Sequence, residues 1–489
     1  MPLFALVPIC LAPRGVPSIL PSAIVWRGRP AHRMLLDTWS LGTDPDGKAR
    51  WVVRVRFMDA GNHLTKLLRS GDVEFRSSRG DVQWQTRMRY GGPAAIVSTT
   101  ESGPVAVRVI SKDPVGIDDV RVETDTRAWH AAPVVVRALG PHMVQIGWFP
   151  AAKTRVEVTR SGLDGDRVVC TLSPPSSTCR DANVAPRTSY RYTLTKAGVS
   201  SVSLSVSVPS EIAPQSLNAF RGKGMWLRFS PDLLDDDAYS RLDATAIVER
   251  AREAGLRYIE IRMAYGEFWE VTAAARAHVE ALIDAAGKAG LAPIAWTVPR
   301  SSSFADLSLA VAAANYRTAH GTRVAGLAVD FERGDEYMGN GLQSRTALAA
   351  YSRHLRQALG PAYLIVGTVE DPYLNGLTNK DFPFSVIAEN SNALQPMMYW
   401  RFFQKGIGTV AVRSAVRQSM KATRREAGRQ IPINLGGQTS GIGACGAPPS
   451  GEIVGSLEES RQEGAMGETF FDWFGTLDAQ WAAIASFPW

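Results

Sequence analysis

Apolar and polar residues alternate with period two from about residue 34 to 129. The clearest runs are 51–57, 73–75, 82–84, 94–97 and 105–110, with Gly, Asp, Asn and Ser clusters between them. A period of two puts every second side chain on one face, so the spacing predicts short antiparallel strands packed as a sandwich. The same period continues from about 132 to 209, through 144–149, 155–160 and 186–194. After a polar linker at 210–218 the rhythm changes, and short apolar runs alternate with helix-length amphipathic segments. Strands are predicted at 225–229, 258–263, 293–298, 327–331, 364–369, 394–399, 432–435 and 469–472. Helices are predicted at 244–254, 273–289, 307–318, 344–359, 410–426, 452–462 and 477–485, with a short one near 384–390. Gly255, Gly290 and Gly360 stand where helix C-caps belong.

Eight strands and eight helical slots in about 265 residues predict a (β/α)₈ TIM barrel, whose usual length is about 250. No glycine fingerprint follows the first strand, which disfavours a doubly wound open sheet. The expected architecture is multidomain. A leader or disordered segment (1–33) is followed by two all-β sandwiches (34–130 and 131–210) and an α/β barrel (215–489).

The front unit resembles the immunoglobulin-like modules of bacterial surface proteins in its strand pattern. The second carries Trp148 on an early strand and a late Pro186-Arg-Thr-Ser-Tyr190-Arg-Tyr192 stretch. That combination resembles fibronectin type III domains, which implies a Trp filling the core and a Tyr locking a corner. A carbohydrate or cell-surface adhesion role is the functional expectation for both units, and a spacer or stalk is the plain one.

In a (β/α)₈ barrel, chemistry sits at the C-terminal strand ends, and the fourth strand, Leu327-Ala-Val-Asp-Phe-Glu332, is the most informative. Leu327, Val329 and Phe331 should face the helices, leaving Asp330 and Glu332 to point inward or upward at the mouth. Two acids so close do not ionise independently, so one of the two should titrate high. An acid that stays protonated near neutrality can protonate a glycosidic oxygen.

This strand ending resembles chitinase-like glycoside hydrolases and muramidases of the Asp-x-Glu type. The chitinase strand reads Asp-x-x-Asp-x-Asp-x-Glu; Asp330 and Glu332 match its last two places, while Ala325 and Ala328 replace the earlier acids. The sixth strand, Gln395-Pro-Met-Met-Tyr399-Trp400, resembles the Met-x-Tyr strand of the same hydrolases. The resemblance implies Glu332 as general acid/base, Asp330 as its tuning partner and Tyr399 as a ligand of an N-acetyl group during its attack on the anomeric carbon. It also implies an aromatic sugar floor after the eighth strand, at Phe471-Asp472-Trp473, for which Trp473 is the candidate. Asp472, Trp400, Gln395, Trp296, Glu370 and Gln438 complete the expected substrate-binding set.

Plainer readings exist for these residues. Asp330 and Glu332 would serve as ion-pair partners of Arg228 or Arg262, and Tyr399 and Trp400 as aromatic core. Glu260 and Arg262 would form a buried ion pair. Glu370 and Asp371 end the fifth strand as a base or a nucleophile, although Asp371-Pro372 also makes a turn. The seventh strand, ending at Gln438, carries no carboxylate. That favours assistance by the substrate's own N-acetyl group, or a base from strand five, six or eight.

Bulk properties trim the alternatives. The excess of Lys and Arg lies in the first 214 residues, and the remainder is slightly acidic. No basic stripe is interleaved with aromatics, so nucleic acid is not expected as a partner. The seven histidines are dispersed, with no His-x-x-x-His pair, Gly-x-Ser-x-Gly elbow or phosphate loop. Cofactor-free acid/base chemistry on a polysaccharide or glycan is the expectation, with no metal. A non-catalytic carbohydrate-binding or adhesion protein with a degenerate barrel is the alternative, and a glycan lyase or deacetylase the third. Cys170 and Cys179 bracket a Pro/Ser loop and suit a hairpin-closing disulfide. Residues 1–12 are apolar but lack a basic start, so the expected location, secreted or cell-surface, rests on domain content.

Overall fold

A computed structural model of the protein describes residues 33–489 except 44–48, 59–72, 86–93, 102, 112–119, 126–133, 149–154, 163–164, 174–177, 197–201, 211–214, 229–242, 267, 272, 302–303, 335–336, 405–406 and 442–444. The expected leader lies outside the described residues.

Strands β1 (Arg33–Thr43), β2 (Ala49–Met58), β3 (Val73–Ser77), β4 (Asp81–Gln85), β5 (Ala94–Thr99), β6 (Pro104–Ser111) and β7 (Val120–Asp125) form antiparallel sheets ordered β1-β2-β5-β4 and β3-β6-β7. Their alternating apolar side chains meet in one core, Trp51, Val53 and Val55 of β2 lying with Phe75 of β3 and Val105, Val107 and Val109 of β6. The second unit comprises β8 (Val134–Gly140), β9 (Met143–Trp148), β10 (Val156–Gly162), β11 (Gly165–Leu172), β12 (Thr178–Asp181), β13 (Ser189–Lys196) and β14 (Val202–Ser207). It too has two antiparallel sheets, β12-β9-β8 and β11-β10-β13-β14, sharing one core.

The two tyrosines of the late stretch have separate tasks. The Tyr190 hydroxyl accepts from the Ala185 N–H at 2.9 Å, tying the strand to the turn before it. The Tyr192 hydroxyl donates to Asp181 at 2.9 Å, and Asp181 also pairs with Arg160 at 3.1 Å, both buried. The side chain of Trp148 lies outside the described residues. Cys170 and Cys179 are bonded. The bridge joins β11 to β12, which belong to different sheets, so it staples the two sheets together rather than closing a hairpin.

This unit is docked on the barrel. Leu139 and Met143, beside the β8–β9 turn, are buried in the barrel's largest core cluster. Gly140 lies so close that a Cβ there would meet the Ala358 carbonyl oxygen at 2.2 Å. In the linker, Gln215 accepts from the Leu364 N–H at 3.0 Å and donates to the Val324 carbonyl at 3.3 Å.

The barrel strands are β15 (Gly222–Leu227), β16 (Leu256–Tyr265), β18 (Ala292–Val298), β19 (Leu327–Phe331), β20 (Ile365–Glu370), β21 (Ala393–Met397), β22 (Asn434–Gln438) and β23 (Gly467–Phe471), all parallel. They run β15-β23-β22-β21-β20-β19-β18-β16, and pairing of β15 with β16 closes the ring. A two-residue strand, β17 (Phe268–Trp269), adds to the rim antiparallel to β16. The helices are α1 (Ala244–Glu253), α2 (Ala273–Lys288), α3 (Phe304–Ala314), α4 (Gly341–Leu359), α5 (Pro372–Asn375), α6 (Phe384–Glu389), α7 (Thr409–Ala427), α8 (Ser450–Gln462) and α9 (Asp478–Ser486). Among the described residues no helix is long and apolar enough to cross a membrane.

All eight predicted barrel strands are present, with shifted ends. The seventh reaches Gln438, past its apolar run at 432–435, through Gly436 and Gly437, which add nothing to a hydrophobic count. Both pack tightly, since a Cβ on Gly436 would meet the Trp226 ring at 2.9 Å. Helix α5 follows a position read as a turn or a base. Asp371 is buried and caps it, accepting from the Tyr373 and Leu374 N–H groups at 2.9 and 2.8 Å.

Candidate active site

Side-chain parity on β19 decides what reaches the mouth. Leu327, Val329 and Phe331 join the core between strands and helices, with Phe331 edge-on to Tyr351 of α4 at 6.3 Å. Ala328 lies with Trp226, Trp296 and Val366 in the separate cluster inside the barrel. Asp330, two residues on, therefore emerges at the top of the interior. It lines, with Glu332, an open cleft of about 480 Å³.

Tyr399 and Met397 from the end of β21 line the same cleft, as do Glu370 from β20 and Phe471 from β23. Tyr399 packs on Phe471 at 5.6 Å between ring centroids. The walls thus combine carboxylates with aromatic faces, a mixture suited to a polar ligand with apolar ring faces, such as a sugar.

Asp330 is 5% exposed. Burial pushes its carboxyl up to about 7, with Glu370 adding to the rise, while Trp296 and the Arg262 charge pull the other way. One acid of the pair does titrate high, but burial is the chief cause rather than repulsion by Glu332. The Trp296 indole faces Asp330 without a well-formed hydrogen bond, and neither Asp330 Oδ1 nor Trp296 Nε1 has a partner among the described residues. Tyr399 is held well above the ordinary phenol range, first by burial and then by the charges of Asp330 and Glu332.

The arginines expected to neutralise this pair have other partners. Arg228 Nε donates to Asp472 at 2.6 Å. Arg262 makes a two-pronged pair with Glu270 at 2.9 and 2.7 Å. The expected Glu260–Arg262 ion pair is thereby corrected, because Glu260 instead accepts from Gln395 at 2.8 Å.

Beneath the cleft the interior is polar. Gln395 accepts from Thr368 at 2.6 Å and donates to Glu260 and to Thr469, the latter at 2.7 Å. Asn434 donates to the Tyr258 hydroxyl at 2.6 Å, which also meets Thr469 at 2.5 Å. Burial pushes Glu260 up to about 8. Gln395 is fully buried in this layer, so it supports the site from below instead of lining the cleft.

Several other expected ligands lie away from the cleft. Trp473 turns outward, its ring edge-on to Trp481 of α9 at 4.7 Å, and Phe471 takes the wall position. Trp400, one residue beyond Tyr399, falls on the opposite face, where its Nε1 donates to Glu452 at 2.8 Å. Trp296 is buried inside the barrel below the mouth. Gln438 accepts from the Arg401 N–H at 3.1 Å and donates to the Ser440 carbonyl at 3.0 Å, fastening two loops. Asp472 is buried and reaches the cleft only through Arg228. Glu370 does line the cleft, yet it is clamped by Arg333 through Nε at 3.0 Å and Nη2 at 2.9 Å.

Residues that sequence reasoning passed over complete the cleft. Tyr337 stands in the loop after β19, where the Gly334 and Gly339 backbones bond each other at 2.8 and 3.0 Å. Its phenol is held well above the ordinary range, first by the Glu332 charge, and Glu332 also accepts its hydrogen bond. The closely spaced glycines from Gly334 to Gly341 were the available signal of a folded loop. Phe402 and Phe403 follow β21 on a stretch without sheet period, so nothing in the pattern marked them. Among the described residues no group of three or more His, Cys, Asp or Glu side chains is placed to hold a metal ion.

No family model matches the chain, and no curated protein matches it. Solved structures do align with it. An endo-1,4-β-mannanase from Rhizomucor miehei covers 53% of this chain and 89% of its own, at 9% identity and a TM-score of 0.39. The spore cortex-lytic enzyme SleL from Bacillus cereus covers 60% and 79%, at 12% identity and a TM-score of 0.37. A chitinase from Chromobacterium violaceum covers 54% and 98%, at 11% identity and a TM-score of 0.37. Likeness this distant says nothing of the chemistry of this chain, which its own residues must carry.

Proposed function

We propose that the barrel is a glycoside hydrolase that cleaves a polysaccharide by carboxylate acid/base catalysis. The observation that carries the reading is the convergence of Asp330, Glu332 and Tyr399 on one open, aromatic-walled cleft at the C-terminal strand ends. Glu332 is the general acid/base, being the carboxylate of the pair that is partly exposed to the cleft. Asp330 sits beneath it, and a carboxyl half-protonated near neutrality can donate to a substrate acetamido group or accept from it. Tyr399 supplies a hydroxyl donor on the cleft wall, Tyr337 holds Glu332 through its own hydroxyl, and Phe471, Phe402 and Phe403 offer the faces on which a sugar ring rests.

Arg333 engages Glu370, the further carboxylate lining the cleft among the described residues, and so removes it from service as a free nucleophile. Together with the carboxylate-free seventh strand, this supports assistance by the N-acetyl group of an N-acetylhexosamine. The same two features favour the second reading, a barrel that binds glycan without turning it over. In either case the front units are read as immunoglobulin-like and fibronectin type III-like modules of an exported protein, holding the barrel near a cell surface. Product analysis on purified protein tests the reading. New reducing ends without unsaturation mean hydrolysis, unsaturated ends a lyase, released acetate a deacetylase, and glycan retention without product a binding protein.

A further inference from the structure

Two guanidinium groups line the cleft, and they differ in what they have left to offer. Arg333 spends Nε, Nη2 and its backbone N–H on Glu370, all within 3.0 Å. Arg228 commits only Nε, to Asp472 at 2.6 Å. Its terminal nitrogens have no partner among the described residues, and its side chain is 28% exposed. The face of the guanidinium lies over the Phe471 ring, 5.0 Å from the centroid.

From this contrast we infer that Arg228 is a carboxylate-binding subsite, and that the substrate is an acidic glycan carrying hexuronic acid residues next to the cleaved bond. The inference rests on the hydrolase reading of the cleft. A guanidinium fixed at one edge by a carboxylate and on one face by a ring has little rotamer freedom left to lose. Its remaining edge, Nη1 with Nη2, presents two parallel N–H donors, the geometry that matches the two oxygens of a carboxylate. Sugar hydroxyls offer only neutral acceptors, and hydrogen bonds between charged partners are roughly twice as strong. Covering Arg228 with a neutral ring would desolvate that edge with weak compensation, whereas a carboxylate satisfies it.

The rest of the cleft tolerates a substrate anion. Asp472 is paired with Arg228 itself and Glu370 with Arg333. Burial biases Asp330 toward its neutral form. Glu332 carries a proton in the state that donates to the leaving oxygen.

Steady-state hydrolysis by the full chain tests this with two forms of one polymer: alternating hexuronic acid and N-acetylhexosamine, and its carboxyl-reduced counterpart. The wild type should favour the acidic form by at least about tenfold in kcat/KM, and Arg228→Gln should bring the ratio to within about twofold. Arg228→Lys keeps the charge without the fork and should fall between; it also decides the matter if Arg228→Gln fails to fold in a melting scan. Equal rates on the two polymers, or a preference that survives both substitutions, overturns the subsite. If neither polymer is cleaved, the hydrolase reading has failed on these substrates, and calorimetry with oligosaccharides of both forms decides the subsite alone. Tighter binding of the acidic form that disappears in the Arg228 variants supports it, and indifference to the carboxylate overturns it.

Discussion

Gln395 donates to the buried carboxyl of Glu260 at 2.8 Å, from a strand directly across the barrel ring. This strut crosses the interior beneath the cleft, and Gln395 is itself gripped by Thr368 and Thr469. The floor of the candidate active site is therefore a hydrogen-bonded polar layer in which Glu260 Oε1 is satisfied and Glu260 Oε2 has no partner among the described residues, with Asp330 standing over it.

That layer makes stability depend on pH with a definite sign. Burial raises Glu260 from 4.5 to about 8, so its folded form holds a proton that the unfolded chain releases. Its contribution is fully present below about pH 4.5 and is lost as pH rises through about 8. Asp330 has the same sign, over a window from 3.8 to about 7. Glu260→Gln, which keeps an acceptor for Gln395 and cannot ionise, should flatten the decline. It should gain up to a few kcal/mol over the wild type by pH 9, with little difference at pH 4. Denaturant melts across that range check this, and parallel curves for the two proteins would contradict it.

In the second β-unit, Arg160 and Asp181 are both buried; Asp181 also accepts from the Tyr192 hydroxyl and Arg160 also donates to the Asn183 carbonyl. Arg160→Met leaves Asp181 charged and without its cation, which should cost that unit about 3–5 kcal/mol. Protease cleavage should become faster within residues 134–207, while the barrel keeps its protection. Uniform protection of the variant would show that the pair is dispensable.

The docking of that unit on α4 depends on the absence of a side chain at Gly140. Gly140→Val places atoms against the Ala358 carbonyl and should cost the contact about 1–3 kcal/mol. Small-angle scattering should then report a larger radius of gyration than the wild type. An unchanged scattering curve would mean the contact gives way locally instead.

The barrel was legible because its period changes from two to alternating strand and helix, and because Gly255, Gly290 and Gly360 mark helix ends with positive φ. The inward parity of Asp330 was legible for the same reason, strand alternation being fixed by backbone geometry. Beyond a strand's last residue parity holds only while the chain stays extended. Trp473 shares the parity of Phe471, yet the chain turns after β23 and its ring packs in the helical layer, whereas Trp400 faces that layer because it alternates with Tyr399. Ion-pair choice was equally hidden. Arg262 pairs with Glu270, eight residues on and brought back by the β16–β17 turn, a contact that strand spacing does not encode.

Glu332→Gln tests the central claim most directly, because it removes one ionisable proton while keeping the shape of the side chain. Reducing-end release from the cleaved polysaccharide should fall by about 10²-fold or more, with the melting temperature unchanged. Undiminished release by a folded Glu332→Gln protein would contradict the assignment of Glu332 as the catalytic acid.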